Sequence, residues 1–253
     1  MNPPLSVVVF GEPRPFYVQA ANLLAKVPER SYLNMGKDGH DCVWDLPIHI
    51  PGLFEYVHGY ECQPTPRIPV IVSEEPGPGD PEGIFRYHHS SLYRSGIGKL
   101  PYPLTLTALP GSDVGITDMD AINFVYSLYQ YPDALKVEWD HYDDGSDDGV
   151  CWAAKKQNGI WAIVNRGTAN PKDILRDLYA AVQRTRDIGR VHAGFYQNAQ
   201  EQHQEIVKIV GNDPVMFTGH SLGAARAQIQ AAEWCAQLSK PVFTLKPAMT
   251  GAV

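Results

Sequence analysis

The chain has 253 residues, 44% of them hydrophobic, with 28 acidic against 21 basic side chains and a formal charge of −7. That is enough apolar material for one large core or two modest ones, and an acidic balance with no lysine or arginine stripe excludes a nucleic-acid-binding surface. No basic start leads into an apolar run, so no signal peptide is expected, and no apolar run nears the roughly 20 residues that cross a bilayer. The expectation is a cytoplasmic protein, or part of a larger assembly or oligomer, that meets a membrane only at its surface.

Residues 1–112 carry no chemical motif. Residues 7–10 make a short strand-like run. Pro64, Pro66, Pro69, Pro76, Pro78 and Pro81, with Gly77 and Gly79, read as an irregular loop around a short strand at 68–72. Alternation over 104–109 ends at Pro110-Gly111, so 1–112 is expected to be an irregular β-rich extension packed on a domain at 113–253.

Cys42, Cys62, Cys151 and Cys235 form no C-x-x-C pair, which favours free thiols in a reducing compartment over a Cys42–Cys62 bridge. His88-His89 and the group His40, Asp41, Cys42 have metal-ligand chemistry. Neighbours on an extended chain point apart, however, so exposed or core-capping histidines are the better reading. Neither a metal nor a cofactor is expected.

From residue 113 the pattern changes. Thr117 or Asp118 can cap a helix whose apolar positions Ala121, Ile122, Val125, Tyr126, Leu128 and Tyr129 recur at helical spacing, with Pro132 ending it. Strands are expected at 135–141, 150–156 and 159–165, the last two joined by a hairpin turn at Asn158-Gly159. Asp140, Asp143, Asp144, Asp147 and Asp148 cluster between the first two. The spacing fails a calcium-loop register, since Lys155 stands where a glutamate is needed, so a solvated hairpin tip is expected.

Arg166-Gly167-Thr168 follows the third strand, and Asn170-Pro171-Lys172-Asp173 places good residues at the start of a helix running through Ile174, Leu175, Leu178 and Val182. That stretch reads as a packed helix rather than a lid. A further helix is expected over 196–210. Strands alternating with helices imply a mainly parallel sheet with flanking helices.

The chain is organised around residues 215–225, an apolar strand, a sharp turn and an alanine-rich helix that reads G-x-S-x-G at Gly219-His220-Ser221-Leu222-Gly223. A serine on so tight a turn needs neighbours without bulk. The N–H of Leu222 would lie at a helix N-terminus, where a developing oxyanion is favoured. The bland alternative is that Ser221 only caps the helix.

Together, V-N-R-G-T with D-I-L-R-D-L, then V-H-A-G-F, then F-T-G-H-S-L-G-A-A resemble the fungal-type, or class 3, lipase family of α/β-hydrolases over roughly residues 115–253. The resemblance implies an α/β-hydrolase-like fold and a lipid or small ester substrate. It also implies Ser221 as nucleophile, with Thr168 and the Leu222 N–H as oxyanion hole. Arg166 and Asp177 match positions read as a structural pair. His220, beside the serine, and His192, in V-H-x-G-F, match positions outside the family's triad.

In that family the triad acid and histidine follow the serine, in that order. Residues 245–251 match the family's F-G-x-P-x-x-G segment imperfectly, and after Ser221 this sequence has neither aspartate nor histidine. Three explanations stand: a fragment of a longer product, an enzyme that recruits its base elsewhere, or a scaffold without catalysis. Within the chain His141, His192 and His203, with Asp118, Asp120 or the acidic turn, are the candidates for recruitment. The expected activity is a lipase- or phospholipase-type serine ester hydrolase acting through an acyl-serine. The alternative is an inactive lipase-like binding or assembly protein.

Overall fold

Runs that are apolar on both faces form the middle of the sheet. Strand β1 (Ser6–Phe10) and the strand expected to precede the elbow, β12 (Val215–His220), are buried at every position. Residues buried on both faces need a layer of cover on each side, which an interior strand of a mostly parallel sheet has.

The structure is a computed structural model and describes residues 4–47, 55–62, 69–76, 85–101, 105–130, 137–145, 151–167, 182–196 and 199–238. Among these, β1, β2 (Glu29–Gly36), β3 (Gly39–His40), β4 (Val70–Ser73), β7 (His141–Asp143), β8 (Trp152–Gln157), β9 (Ile160–Asn165) and β12 share one eight-stranded sheet. Its order is β3-β2-β1-β12-β9-β8-β7, with β4 also paired to β2. The pairs β1/β12, β12/β9, β1/β2 and β2/β4 are parallel; β2/β3, β7/β8 and β8/β9 are antiparallel.

Alternation along the strands sorts side chains into two helix layers. Val7, Val9, Val215, Phe217 and Ile163 face α5 (Ala199–Val210) and α6 (Leu222–Leu238). Val8, Phe10, Met216, Ala162 and Val164 face α2 (Ser90–Gly98) and α3 (Asp118–Tyr129). Two short helices, α1 (Val18–Ala21) and α4 (Ala193–Tyr196), complete the first layer. Two-stranded pairs lie outside the sheet: β5 (Leu106–Ala108) with β6 (Gly115–Thr117), and β10 (Val182–Arg184) with β11 (Arg190–His192).

The α/β arrangement matches expectation, and the N-terminal third does not. Strands β1–β4 are members of the sheet that carries β12 rather than an extension packed on it. The first strand pairs with β12 over five residues, from Ser6↔Met216 to Phe10↔His220. A buried ion pair, with Arg30 Nη2 2.7 Å from Asp118 Oδ1, spans the expected boundary at 112/113 and fixes β2 to the start of α3.

Several elements differ from the sequence pattern. His141–Asp143 is a strand because it pairs with Trp152, Ala153 and Ala154, whereas the strand was expected at 135–141. Val182–Arg184 leaves the helix expected there and pairs with β11, closed by Thr185 N–H to Gly189 O at 2.7 Å. The helix expected at 196–210 is α5, described over Ala199–Val210. As expected, Thr117 and Asp120 form a reciprocal capping box on α3, and Asn158 and Gly159, at φ 51° and 78°, make the β8–β9 turn. Cys42 and Cys151 are free thiols. Among the described residues no helix is long and apolar enough to span a membrane, and no cluster of ligands could hold a metal ion.

Candidate active site

The chain turns at Ser221 between β12 and α6 with φ +59°, a left-handed conformation that side chains other than Gly, Asn and Asp seldom adopt. Its N–H donates to Phe10 O at 3.0 Å, and its carbonyl accepts from Ala224 N–H at 2.9 Å. Strained backbone is therefore held by β1 on one side and the first turn of α6 on the other. Leu222 opens α6, where an N–H has no intrahelical acceptor.

Both flanking glycines are required by close approach. A Cβ on Gly219 would lie 2.3 Å from Gly223 O, and one on Gly223 would lie 2.3 Å from Asn165 O. Gly167, two residues after β9, is also close-packed: its Cβ would lie 2.6 Å from His220 O and 2.8 Å from Ser221 Cβ. Gly167 thus packs directly against Ser221. Thr168 and Asp177 lie outside the described residues, so the expected hydroxyl and the Arg166–Asp177 pair are not among the observed contacts.

Ser221 is 1% exposed, and its Oγ is a buried atom without a hydrogen-bond partner among the described residues. His220 is engaged elsewhere. Its Nε2 is 2.7 Å from His88 O and its Nδ1 2.9 Å from Tyr129 Oη. A carbonyl only accepts, so Nε2 carries the hydrogen and Nδ1 takes the tyrosine's proton. Burial, with His88 alongside, pushes the His220 pKa well below its usual value. The ring is neutral and structural, as expected.

The residue stacked on His220 is the one that sequence reading passed over. The His88 ring lies 4.6 Å from that of His220, at an interplanar angle of 27°. Its Nδ1 is 2.6 Å from Asp41 Oδ2, and its Nε2 is buried with no hydrogen-bond partner among the described residues. Asp41 is fully buried and holds still: Val43 N–H donates to Oδ1 at 2.9 Å, and Tyr93 Oη donates to Oδ2. With Nδ1–H directed at the carboxylate, Nε2 presents a lone pair.

Asp41 follows β2 and His88 precedes α2, yet both reach the turn after β1. A Cβ on Gly11, which sits at φ +55°, would lie 2.4 Å from Asp41 Oδ2 and 3.1 Å from His88 Nδ1. Gly11 directly follows Phe10, the residue that accepts from Ser221 N–H. An acid, an imidazole with a free nitrogen and a strained serine with a free hydroxyl therefore converge on one end of the β1/β12 pair.

A second histidine–carboxylate pair lies beyond the same turn. His58 Nδ1 is 3.0 Å from Glu12 Oε1, both fully buried, and Ser31 Oγ donates to Glu12 Oε2 at 2.7 Å. Trp44 and Tyr60 cover the His58 ring at 4.4 and 5.2 Å. Burial raises the Glu12 carboxyl to about 8 and lowers His58 to about 3, so the pair is neutral at pH 7.

The histidines favoured from sequence stand apart from Ser221. His141 is on the edge strand β7, stacked on Trp152 at 4.4 Å. His203 meets Gln237 at 3.1 Å, at the opposite end of α6 from Ser221. His192 is buried in β11 against Phe195. Asp118 is occupied by Arg30 and Tyr32, Asp120 by the α3 cap, and Asp143 accepts from Gly145 N–H. Asp41 and His88 had been weighed as metal ligands, with exposed or core-capping histidines as the better reading. The missed signal is Phe10-Gly11-Glu12-Pro13, which fits F-G-x-P better than residues 244–247 do and stands on the strand directly beside β12.

A mixed sheet with helices on both faces, carrying a tight strand–turn–helix serine at its centre, defines an α/β protein. Residues 162–250, from β9 through α6 and beyond, match the family model of the class 3 lipases. No curated protein and no solved structure matches the chain significantly.

Proposed function

We propose that this protein is a serine carboxylic-ester hydrolase of the lipase type, with Ser221 as nucleophile, His88 as general base and Asp41 as the acid that orients it. The observation that carries the reading is the Asp41–His88 hydrogen bond, with the His88 ring stacked on His220, the neighbour of a strained serine; among the described residues neither the buried His88 Nε2 nor the buried Ser221 Oγ has a hydrogen-bond partner. The class 3 lipase match supplies the reaction type, and a lipid or small ester is the substrate class.

His88 Nε2 takes the Oγ proton as Ser221 attacks the ester carbonyl, and the imidazolium that forms is stabilised by Asp41. The Leu222 N–H, with Thr168, receives the oxyanion. Proton return to the leaving alkoxide gives alcohol and acyl-serine. Water, activated by the same imidazole, then releases the acid.

In this reading the triad that the resemblance places after the serine is present but precedes it. The order acid then histidine is kept: Asp41 follows β2, one strand out from β1, and His88 follows β4, one strand further. Chain order is rotated while sheet order brings the groups together.

The near-complete burial of Ser221 favours a second reading, an inactive lipase-like scaffold. Hydrolysis of p-nitrophenyl butyrate by the full chain beside Ser221→Ala separates the two. An enzyme loses more than about a thousandfold of its rate on substitution. Equal rates from both proteins would leave the scaffold.

A further inference from the structure

One hydrogen-bonded chain joins three parts of the proposed site. Gly167 N–H donates to Tyr129 Oη at 2.9 Å, Tyr129 donates to His220 Nδ1 at 2.9 Å, and His220 Nε2–H donates to the carbonyl of His88 at 2.7 Å. Its ends are Gly167, the residue before Thr168, and the backbone of the base, and its middle is the neighbour of the nucleophile. Each hydrogen bond along it runs in one direction, with Tyr129 Oη accepting from Gly167 and donating to His220. The neutral state of His220 keeps that direction fixed, since a protonated Nδ1 could not accept from Tyr129.

We propose that Tyr129 and His220 are positioning residues that hold Gly167 and the His88 ring in register with Ser221. This rests on the assignment of Ser221 and His88 made above. The groups packed on His220 agree with the role. Tyr93 and Tyr129 stand edge-on at 5.5 and 5.6 Å and His88 stacks face-on at 4.6 Å, so the ring sits in a box with one orientation. Tyr93 is also the donor to Asp41, so the same box borders the acid. Among the charged and titratable groups facing the ring, His88 and His89 disfavour its protonation and no carboxylate favours it.

The test is steady-state hydrolysis of p-nitrophenyl butyrate from pH 5 to 9 by the full chain and by Tyr129→Phe, His220→Gln, Tyr129→Phe/His220→Gln, Ser221→Ala and His88→Ala. Tyr129→Phe removes one hydroxyl from a ring that stays packed. Its kcat should fall about tenfold with KM within twofold, and the acidic limb of the pH profile should shift as His88 loses its fixed surroundings. His220→Gln keeps an Nε2 donor at similar reach and should retain more activity than His220→Ala. The double variant should be no slower than the worse single one, because both break one chain. Wild-type kcat and pH profile in Tyr129→Phe, or independent losses that multiply in the double variant, would overturn the relay while Ser221 and His88 remain essential. Hydrolysis indifferent to Ser221→Ala would instead overturn the functional reading, and the relay with it.

Discussion

Two histidine–carboxylate pairs flank the turn at Gly11, and they do opposite things. In Asp41–His88 the carboxylate accepts from Val43 and Tyr93, and the ring, stacked on His220, has a second nitrogen with no partner among the described residues. In Glu12–His58 the ring packs in a cluster with Trp44 and Tyr60, which also stack on each other, and burial dominates both groups. Pairing an imidazole with a carboxylate does not make a base. What separates the pairs is where the rings sit: His88 stacks on His220, the neighbour of Ser221, while His58 packs on Trp44 and Tyr60.

The largest expected effect breaks the first pair. Asp41→Asn keeps the shape of the side chain but removes the acceptor that fixes the His88 tautomer, so kcat should drop by about 10³ to 10⁴ with the fold retained by circular dichroism. A loss of only a few fold would move the acid elsewhere. His58→Ala should do the reverse. Removing a fully buried ring from its cluster with Trp44 and Tyr60 should cost about 2–4 kcal/mol in urea unfolding while ester hydrolysis per folded molecule stays within a few fold.

Compression of the elbow gives an effect of similar kind. Gly219→Ala would force a Cβ against the carbonyl of Gly223 and should destabilise by about 1–3 kcal/mol, with activity lost beyond that. Unchanged stability would mean that the turn relaxes freely.

The smallest effect is a slope. Glu12 has a usual value of 4.5 and a folded value of about 8, so it is protonated in both states at the acid end. Between those values the unfolded chain gives up the proton and the folded chain keeps it, and stability falls as pH rises through the window. His58, lowered from 6.5 to about 3, acts in the opposite sense, and its contribution is lost as pH falls through that lower window. Glu12→Gln should flatten the alkaline decline in urea midpoint from pH 5 to 8 and leave the acid side intact.

Legibility in the sequence followed the range of the interactions. The turn at Ser221, the Thr117 cap and the Asn158-Gly159 hairpin were readable because each is decided within a few residues. Strands β8, β9 and β12 were readable because they are short apolar runs bounded by turns. The proposed acid and base were not, since Asp41 and His88 lie 47 residues apart and meet only when β1, β2 and β4 are in the sheet. Residues 1–112 looked like an extension because a run such as Ser6–Phe10 carries no sign of its partner. Its pairing with β12, more than 200 residues away in the chain, is a property of the sheet.

The most direct test of the account is the burst of p-nitrophenolate in rapid mixing of the full chain with p-nitrophenyl butyrate, compared among wild type, His88→Ala and His58→Ala. Acylation by a base that precedes the serine in the chain predicts a burst in wild type and in His58→Ala and none in His88→Ala. A burst of wild-type rate and amplitude in His88→Ala would contradict it.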